Sequence, residues 1–480
     1  MKRANHYNPS VLIGGHPVRG VSRQPIRAPY NGRLIGHAPV SDKRQIEKCI
    51  RASVEGFENT RRQPTYKRRA VVARAADLLK KYEEELTWLL SEEAGKPVDL
   101  ALGEVRRAQM TFTFAAAELT RFGGEWIPVD QEPRAENYRC VVERFPIGPI
   151  AAIAPYNWPI NLVCHKLAPA LAVGSAVVVK APTQTPLSTF RLGEIILEAE
   201  PPEGSVSIFY APHRIAEKIV TDERIQMLSF TGSPEVGWEL KKKCGKKKIL
   251  LELGSNSAAV VHEDADLEWA AARVVLGGFG YAGQVCIKVQ RVYAHQKIYE
   301  KFRALLVEKT RGCPTGNPMK KGIICGPVID AGNADRIMAW ISEAKAQGAK
   351  ILGGGTRRGN LIQPTLLENV KPSMKVSCQE LFGPVVTLEP YRTWPEALKK
   401  VNRSRYGLQA GIFTQDANRI REAFDTLEVG GVIVNDFPTM RVDNFPYGGV
   451  KDSGLGREGV RYTMEEMTEP RVLVTRYPGA

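Results

Sequence analysis

Ile150-Ala-Ala-Ile-Ala154, Pro159-Ile-Asn-Leu-Val-Cys-His-Lys-Leu-Ala-Pro-Ala-Leu-Ala172 and Ala176-Val-Val-Val-Lys180 follow one another near the first third of this 480-residue chain. The outer two runs are short and too apolar to alternate, the pattern of strands buried on both faces. The middle run has helical length and opens on proline, which suits the first turn of a helix. A strand, a crossover helix and a second strand form a parallel βαβ unit. Reading outward, a helix over 187–199, a strand over 205–210, a helix over 214–220, a strand over 226–230, a helix over 234–243 and a strand over 249–253 continue the alternation. This is a doubly wound α/β sheet.

Upstream, residues 63–94 predict one long amphipathic helix stopped by Gly95-Lys-Pro97, and a further helix covers Glu104 to Glu118. Downstream, helices near 265–276, 296–311 and 331–347 alternate with strands at 258–261, 289–294, 384–388 and 431–434, so a second α/β unit is expected. The expected division is 1–120 with 145–253, then 254–445. The polar segment 121–144 and the C-terminal 460–480 are set apart as an oligomerisation β-segment, because neither can bury itself alone.

Composition excludes several classes. Charged residues make up 25% and apolar residues 43%, ordinary for a soluble globular protein, and no window has the apolar length of a membrane span. Met1-Lys2-Arg3 is followed by polar residues where a signal peptide needs an apolar run, so a cytoplasmic protein is expected. Eight cysteines stand singly with no C-x-x-C pair, which argues against disulfides and against a thiolate metal site. The net charge of +15 peaks at Lys241-Lys-Lys-Cys-Gly-Lys246-Lys-Lys248. A nucleic-acid module is not visible, and the block reads as a solvated helix end whose field favours anionic ligands.

Two segments carry chemistry. Tyr281-Ala-Gly-Gln-Val-Cys286 sets a cysteine among small and amide residues, and Leu251-Glu252-Leu-Gly-Ser-Asn256 ends an apolar strand on a carboxylate. A thiolate nucleophile with a separate base suits acyl chemistry through a thioester, although a core cysteine and a strand-end ion pair would read the same way. Gly454-Leu-Gly456-Arg-Glu-Gly459 matches G-x-G-x-x-G but follows Gly448-Gly449 and no strand. It is therefore read as a glycine-rich loop in which Arg457 and Glu458 tie loops together. Phe230-Thr-Gly232-Ser233-Pro-Glu-Val-Gly237 is the better phosphate site, a strand running into a helix N-terminus.

With Pro155-Tyr-Asn157-Trp158-Pro, Val179-Lys180-Ala-Pro-Thr183, Glu380-Leu-Phe382-Gly-Pro384 and Pro446-Tyr-Gly-Gly-Val-Lys451, these motifs in this order resemble the aldehyde dehydrogenase superfamily from about residue 10 onward. In particular, the chain resembles the branch acting on lactaldehyde, glyceraldehyde 3-phosphate and phosphonoacetaldehyde. The resemblance implies Cys286 as nucleophile, Asn157 as oxyanion donor and Glu252 as hydrolytic base. It implies NAD or NADP as cofactor, held by Lys180, Thr183, Trp158, Gly232, Ser233, Gly237, Leu253, Glu380, Phe382 and Arg214. Thr183 stands where many members carry glutamate, so a 2′-phosphate meets no repulsion there. Arg107, Arg441, Tyr447 and Gln284 would face the substrate, a small anionic or hydroxylated aldehyde, while Val285 replaces an arginine frequent in that branch. A homodimer or homotetramer is implied, and no metal, nucleic acid or membrane partner. Transfer of the acyl group to coenzyme A, or a non-catalytic structural role on the same scaffold, are the rival readings.

Overall fold

A computed structural model describes residues 7–477 and contains two large sheets. In the first, Val206–Phe209, Val177–Lys180, Ile150–Ile153, Met227–Thr231 and Lys248–Glu252 lie side by side in parallel. Every residue of the second and fourth of these strands is buried, which accounts for their unbroken apolar composition. Antiparallel strands close both edges. Val11–Ile13 pairs with Val206–Phe209, and Gly454–Leu455 pairs with Leu251 and Glu252. The rejected G-x-G-x-x-G string thus begins as an edge strand of this sheet. In the second sheet Thr365–Glu368, Val385–Tyr391, Arg291–His295, Ala258–Val261, Gln409–Phe413 and Gly431–Val434 run parallel, with Lys350–Gly353 antiparallel at one edge. The α/β class with two doubly wound sheets is what the alternation predicts.

Thr468–Arg476 pairs antiparallel with Tyr138–Pro146, which also holds Glu125–Ile127, forming a small separate sheet. Val472, Leu473 and Val474 are all more than half exposed. Because neighbouring side chains on a strand point to opposite faces, this sheet offers apolar surface on both sides.

The predicted long helix over 63–94 is two helices, Thr65–Lys81 and Glu83–Ala94, broken at Tyr82. Lys80 and Lys81 end the first and Glu83, Glu84 and Glu85 open the second, so each terminus carries the charge its dipole favours. The helix expected from Pro159 starts at Asn161. Its first amides are held by the Glu104 carboxylate, which accepts from Ile160 N at 2.9 Å and Asn161 N at 3.1 Å. The strands Val11–Ile13, His16–Val18, Ser22–Arg27 and Leu34–Val40 have no counterpart in the sequence reading. No described helix is long and apolar enough to cross a membrane.

Candidate active site

Asn157, Lys180, Thr183, Gly232, Ser233 and Glu252 all lie at or just beyond the carboxyl ends of the first sheet's parallel strands, where open α/β sheets bind ligands. Cys286 comes from the other sheet. The helix Leu267–Phe279 is followed by Tyr281 and Ala282 at φ 53° and Gly283 at φ 65°, all left-handed. Such a turn costs about 1–3 kcal/mol for each non-glycine residue and persists only when its surroundings fix it. At Gly283 a side chain is impossible, since a Cβ would lie 2.3 Å from the Gly383 carbonyl oxygen. Gln284 fixes the turn: its amide donates to Tyr281 O and Pro327 O and accepts from Ile329 N at 2.9 Å. Cys286 emerges from this turn, half-buried, with Sγ 3.1 Å from the Tyr447 hydroxyl.

Cys286 stands between two spaces. A cavity of about 490 Å³ holds Cys286, Asn157, Glu252, Gly254, Glu380 and Phe382 on its walls. It shares Gly232 and Ser233 with a cavity of about 630 Å³ reaching Lys180 and Thr183. On the other side, a smaller cavity of about 160 Å³ joins Cys286 to Lys96, Arg107, Trp158, Arg441 and Tyr447. The thiol therefore faces a long cleft and a short pocket at once.

Burial pushes the Cys286 thiol up to about 11, with the Tyr447 hydroxyl and the Arg441 cation opposing it. Asn157 Nδ2 donates to Gln284 O at 2.9 Å, which leaves one amide hydrogen uncommitted. Glu252 is 3% exposed, and neither of its carboxylate oxygens has a hydrogen-bond partner. Burial raises its proton affinity well above the ordinary carboxylate range, and the nearby Glu458 raises it further, while Arg441 and Lys166 oppose this. Burial would raise Glu458 too, but Lys166 at 3.0 Å, His165 and Arg441 hold it low. Of two neighbouring buried acids, one is thus kept ionised and the other is left with a high proton affinity.

The long cleft has the features a dinucleotide needs. Lys180 is buried, has no carboxylate partner among the described residues and donates to Ala181 O at 3.2 Å, and burial lowers it to about 8. Thr183 is exposed on the same wall. Glu217 and Glu239, also on that wall, are both paired with Lys243. Glu380 accepts from Ser255 N at 3.0 Å, and a Cβ on Gly254 would fall 2.1 Å from its carboxylate. Phe382 is held at φ 49° with its ring edge-on to Tyr156. Gly237 lets Leu253 pack over the helix, where a Cβ would meet Leu253 at 2.4 Å. The residues present fit a nicotinamide dinucleotide.

In the short pocket, the Arg441 guanidinium lies 3.6 Å over the Tyr447 ring, is 6% exposed, and has no hydrogen-bond partner on Nε. Arg107 donates to Asp443 through Nε at 3.0 Å and stacks over Trp158. Burial would raise Asp443, but His165 and Arg107 outweigh it and hold this carboxyl far below its ordinary range.

Three expectations need correction. Trp158 lies on the short pocket and not on the cofactor cleft, because Lys96 and Arg107 hold its ring there. Gln284 is fully buried with its amide spent on backbone, so it faces no substrate. Arg214 is exposed and absent from the cleft, whose wall is made by His213 instead. Ser233 lines the cleft as expected, and its hydroxyl also caps the helix Pro234–Lys243 by accepting from Val236 N. The sequence reading missed Lys96, Glu104, His165, Lys166 and Asp443, all buried charged or titratable groups. Of these, His165 and Lys166 stand inside an otherwise apolar run, whereas Lys96 and Asp443 lie in polar stretches that mark nothing.

The sequence matches the aldehyde dehydrogenase family over residues 18–473. It is 45% identical to the 3-sulfolactaldehyde dehydrogenase of Priestia megaterium over 93% of both chains. The structure resembles aldehyde dehydrogenase 21 of Physcomitrella patens, solved with its reaction product succinate, at a TM-score of 0.97 and 40% identity, covering 99% of this chain and 100% of that one. It also resembles the glyceraldehyde-3-phosphate dehydrogenase of Methanocaldococcus jannaschii complexed with NADP, at a TM-score of 0.91 and 35% identity, covering 95% and 99%. The chain belongs to the aldehyde dehydrogenase family and is an NAD(P)-dependent oxidoreductase acting on aldehydes.

Proposed function

We propose that this enzyme oxidises a small anionic aldehyde, carrying a sulfonate or carboxylate, to the corresponding acid through a thioester on Cys286. The observation that carries the substrate class is Arg441 on the wall of the short pocket, its Nε without a hydrogen bond among the described residues and 3.6 Å from the Asp443 carboxylate, with Arg107 half-buried beside it. A buried N–H without an acceptor is costly, and an anionic oxygen removes that cost. The relatives named for 3-sulfolactaldehyde and the plant neighbour holding succinate support the same class.

Cys286 Sγ, once deprotonated, adds to the aldehyde carbon, with Arg441 and the Tyr447 hydroxyl favouring the thiolate. The carbonyl oxygen becomes an oxyanion that the Asn157 amide and the Cys286 backbone N–H stabilise. A nicotinamide dinucleotide held by Lys180, Glu380 and Phe382 would supply the hydride acceptor for this carbon. Glu252 then takes a proton from water as the water attacks the thioester, and Cys286 leaves as thiolate. A carboxylate that no hydrogen bond restrains suits this role, and supports hydrolysis over transfer to coenzyme A. Lys180 and Thr183 would meet the adenosine ribose, where a 2′-phosphate would find the Lys180 cation, with two of the acids on that wall, Glu217 and Glu239, already paired with Lys243. The exposed sheet of Thr468–Arg476 suits subunit contact.

Initial rates with sulfonated, carboxylated and neutral aldehydes of equal length, with NAD and NADP and with or without coenzyme A, test the reading. A preference for the neutral aldehyde, or acyl-coenzyme A as product, refutes it.

A further inference from the structure

Lys96 and Glu104 form an ion pair in which both side chains are fully buried, next to the short pocket but outside the steps above. Lys96 Nζ also donates to the backbone carbonyl of Asn157 at 2.7 Å. It lies 3.8 Å over the Trp158 ring and 4.5 Å over the Tyr281 ring. The other oxygen of Glu104 holds the amides of Ile160 and Asn161. One ion pair therefore grips the turn 157–161 from both ends, the carbonyl at its start and the two amides at its finish. It also reaches Tyr281, in the left-handed turn that delivers Cys286.

A surface pair would contribute little, and a buried pair is weak evidence for stability. What this pair does contribute is direction. The Asn157 side chain makes a single hydrogen bond, to Gln284 O, and its Oδ1 has no partner. Its amide is aimed chiefly by the backbone that carries it, and Lys96 fixes that backbone. Burial lowers Lys96 to about 8, with Glu104 opposing, so the grip depends on the partner that keeps it charged.

We propose that Lys96, acting with Glu104, is a positioning residue that sets the Asn157 amide against the oxyanion formed at Cys286; this rests on the oxyanion role given to Asn157 above. Misplacing a catalytic donor by about 1 Å costs on the order of a hundredfold in rate.

Two reagents for Cys286 separate aiming from folding. Iodoacetamide alkylates the thiolate by direct displacement and forms no oxyanion, whereas p-nitrophenyl acetate acylates it through a tetrahedral oxyanion. Both are applied to the NADP-loaded enzyme and to Lys96→Met/Glu104→Gln, which leaves no uncompensated buried charge. Asn157→Ala and the triple variant complete the cycle. If the paired change prevents folding, Lys96→Gln/Glu104→Gln, which retains a donor toward the Asn157 carbonyl and leaves no buried charge, takes its place, and a smaller loss of the same selectivity is expected. The expected result is a fall of about a hundredfold in acylation with alkylation nearly unchanged, and no further loss when Asn157 is already alanine. Equal loss with both reagents, or a full additional loss in the Asn157→Ala background, overturns the proposal by showing that the pair only holds the fold. An Asn157→Ala enzyme that acylates normally overturns the oxyanion role of Asn157, and the proposal with it.

Discussion

Replacing Arg107 by methionine tests whether the short pocket reads charge. Arg107 is the cleaner of the two arginines to remove. Arg441 is 6% exposed and close to Asp443 and Glu458, and its charge restrains the proton affinity of Glu252. Losing Arg441 therefore disturbs the base as well as the pocket, and its removal should slow anionic and neutral substrates alike. Arg107 is 28% exposed, and its carboxylate partner Asp443 keeps His165 at 2.8 Å when the guanidinium goes. Methionine retains an apolar stem against Trp158, and with His165 still bonded to the buried Asp443 the stability loss should be about 1–3 kcal/mol. A charge-assisted hydrogen bond contributes about 1.5–3 kcal/mol. At about 1.4 kcal/mol per factor of ten, kcat/KM for a sulfonated or carboxylated aldehyde should fall between about tenfold and a little over a hundredfold. A neutral aldehyde of the same length should lose less than about threefold, since Arg107 makes no contact with the reacting atoms. Steady-state rates of dinucleotide reduction on the pair of substrates measure this. Equal losses on both would show that Arg107 only ties helix to loop, and the charge-reading argument would fail.

Cys286→Ala should abolish aldehyde oxidation while a dinucleotide titration by fluorescence stays unchanged, and surviving turnover would remove Cys286 from the mechanism. In the wild type without ligands, alkylation of Cys286 should accelerate about tenfold per pH unit across the neutral range, because its thiol titrates near 11 and only the thiolate reacts; a plateau below pH 8 would contradict this. Glu252→Gln should preserve the first-turnover burst of reduced dinucleotide and depress the steady state at least a hundredfold. Because Glu252 has a raised proton affinity, the wild-type steady state should rise with pH, and the variant should lose that dependence; equal loss of burst and steady state would place Glu252 before acylation. Thr183→Glu should raise KM for NADP at least tenfold with little effect on NAD, by placing a carboxylate against the 2′-phosphate; unchanged selectivity would show that the phosphate lies elsewhere.

The parallel strands were legible because burial on both faces writes itself into composition, as in Val177–Lys180, whose residues are all buried. The N-terminal strands were not. Ser22–Arg27 exposes five of its six residues and contains Pro25, so it shows neither alternation nor an apolar run, and its pairing with Leu34–Val40 supplies the order that local sequence lacks. Within the site, motifs located loops but not the direction in which side chains leave them. Gln284 and Cys286 are two residues apart, yet one turns into backbone and the other into the cavity, because three left-handed residues before them reorient the chain.

The buried charges were illegible for a different reason. Lys166 sits in a helix every residue of which is buried, and its partner Glu458 is 292 residues away in sequence. No local pattern predicts such a pair, since a lone lysine in an apolar helix is costly until the partner is known. With the partner in place, the arrangement explains the state of the base. Glu458 is surrounded by Lys166, His165 and Arg441 and stays ionised; Glu252 faces that fixed negative charge, and the Glu458 backbone N–H, which donates to Tyr447 O, eases it least of the groups around it. Donors on Glu252 would stabilise its ionised form and weaken it as a base. Among the described residues, it is the only buried carboxylate with neither oxygen bonded, and it stands at the strand end that the sequence had marked for base chemistry.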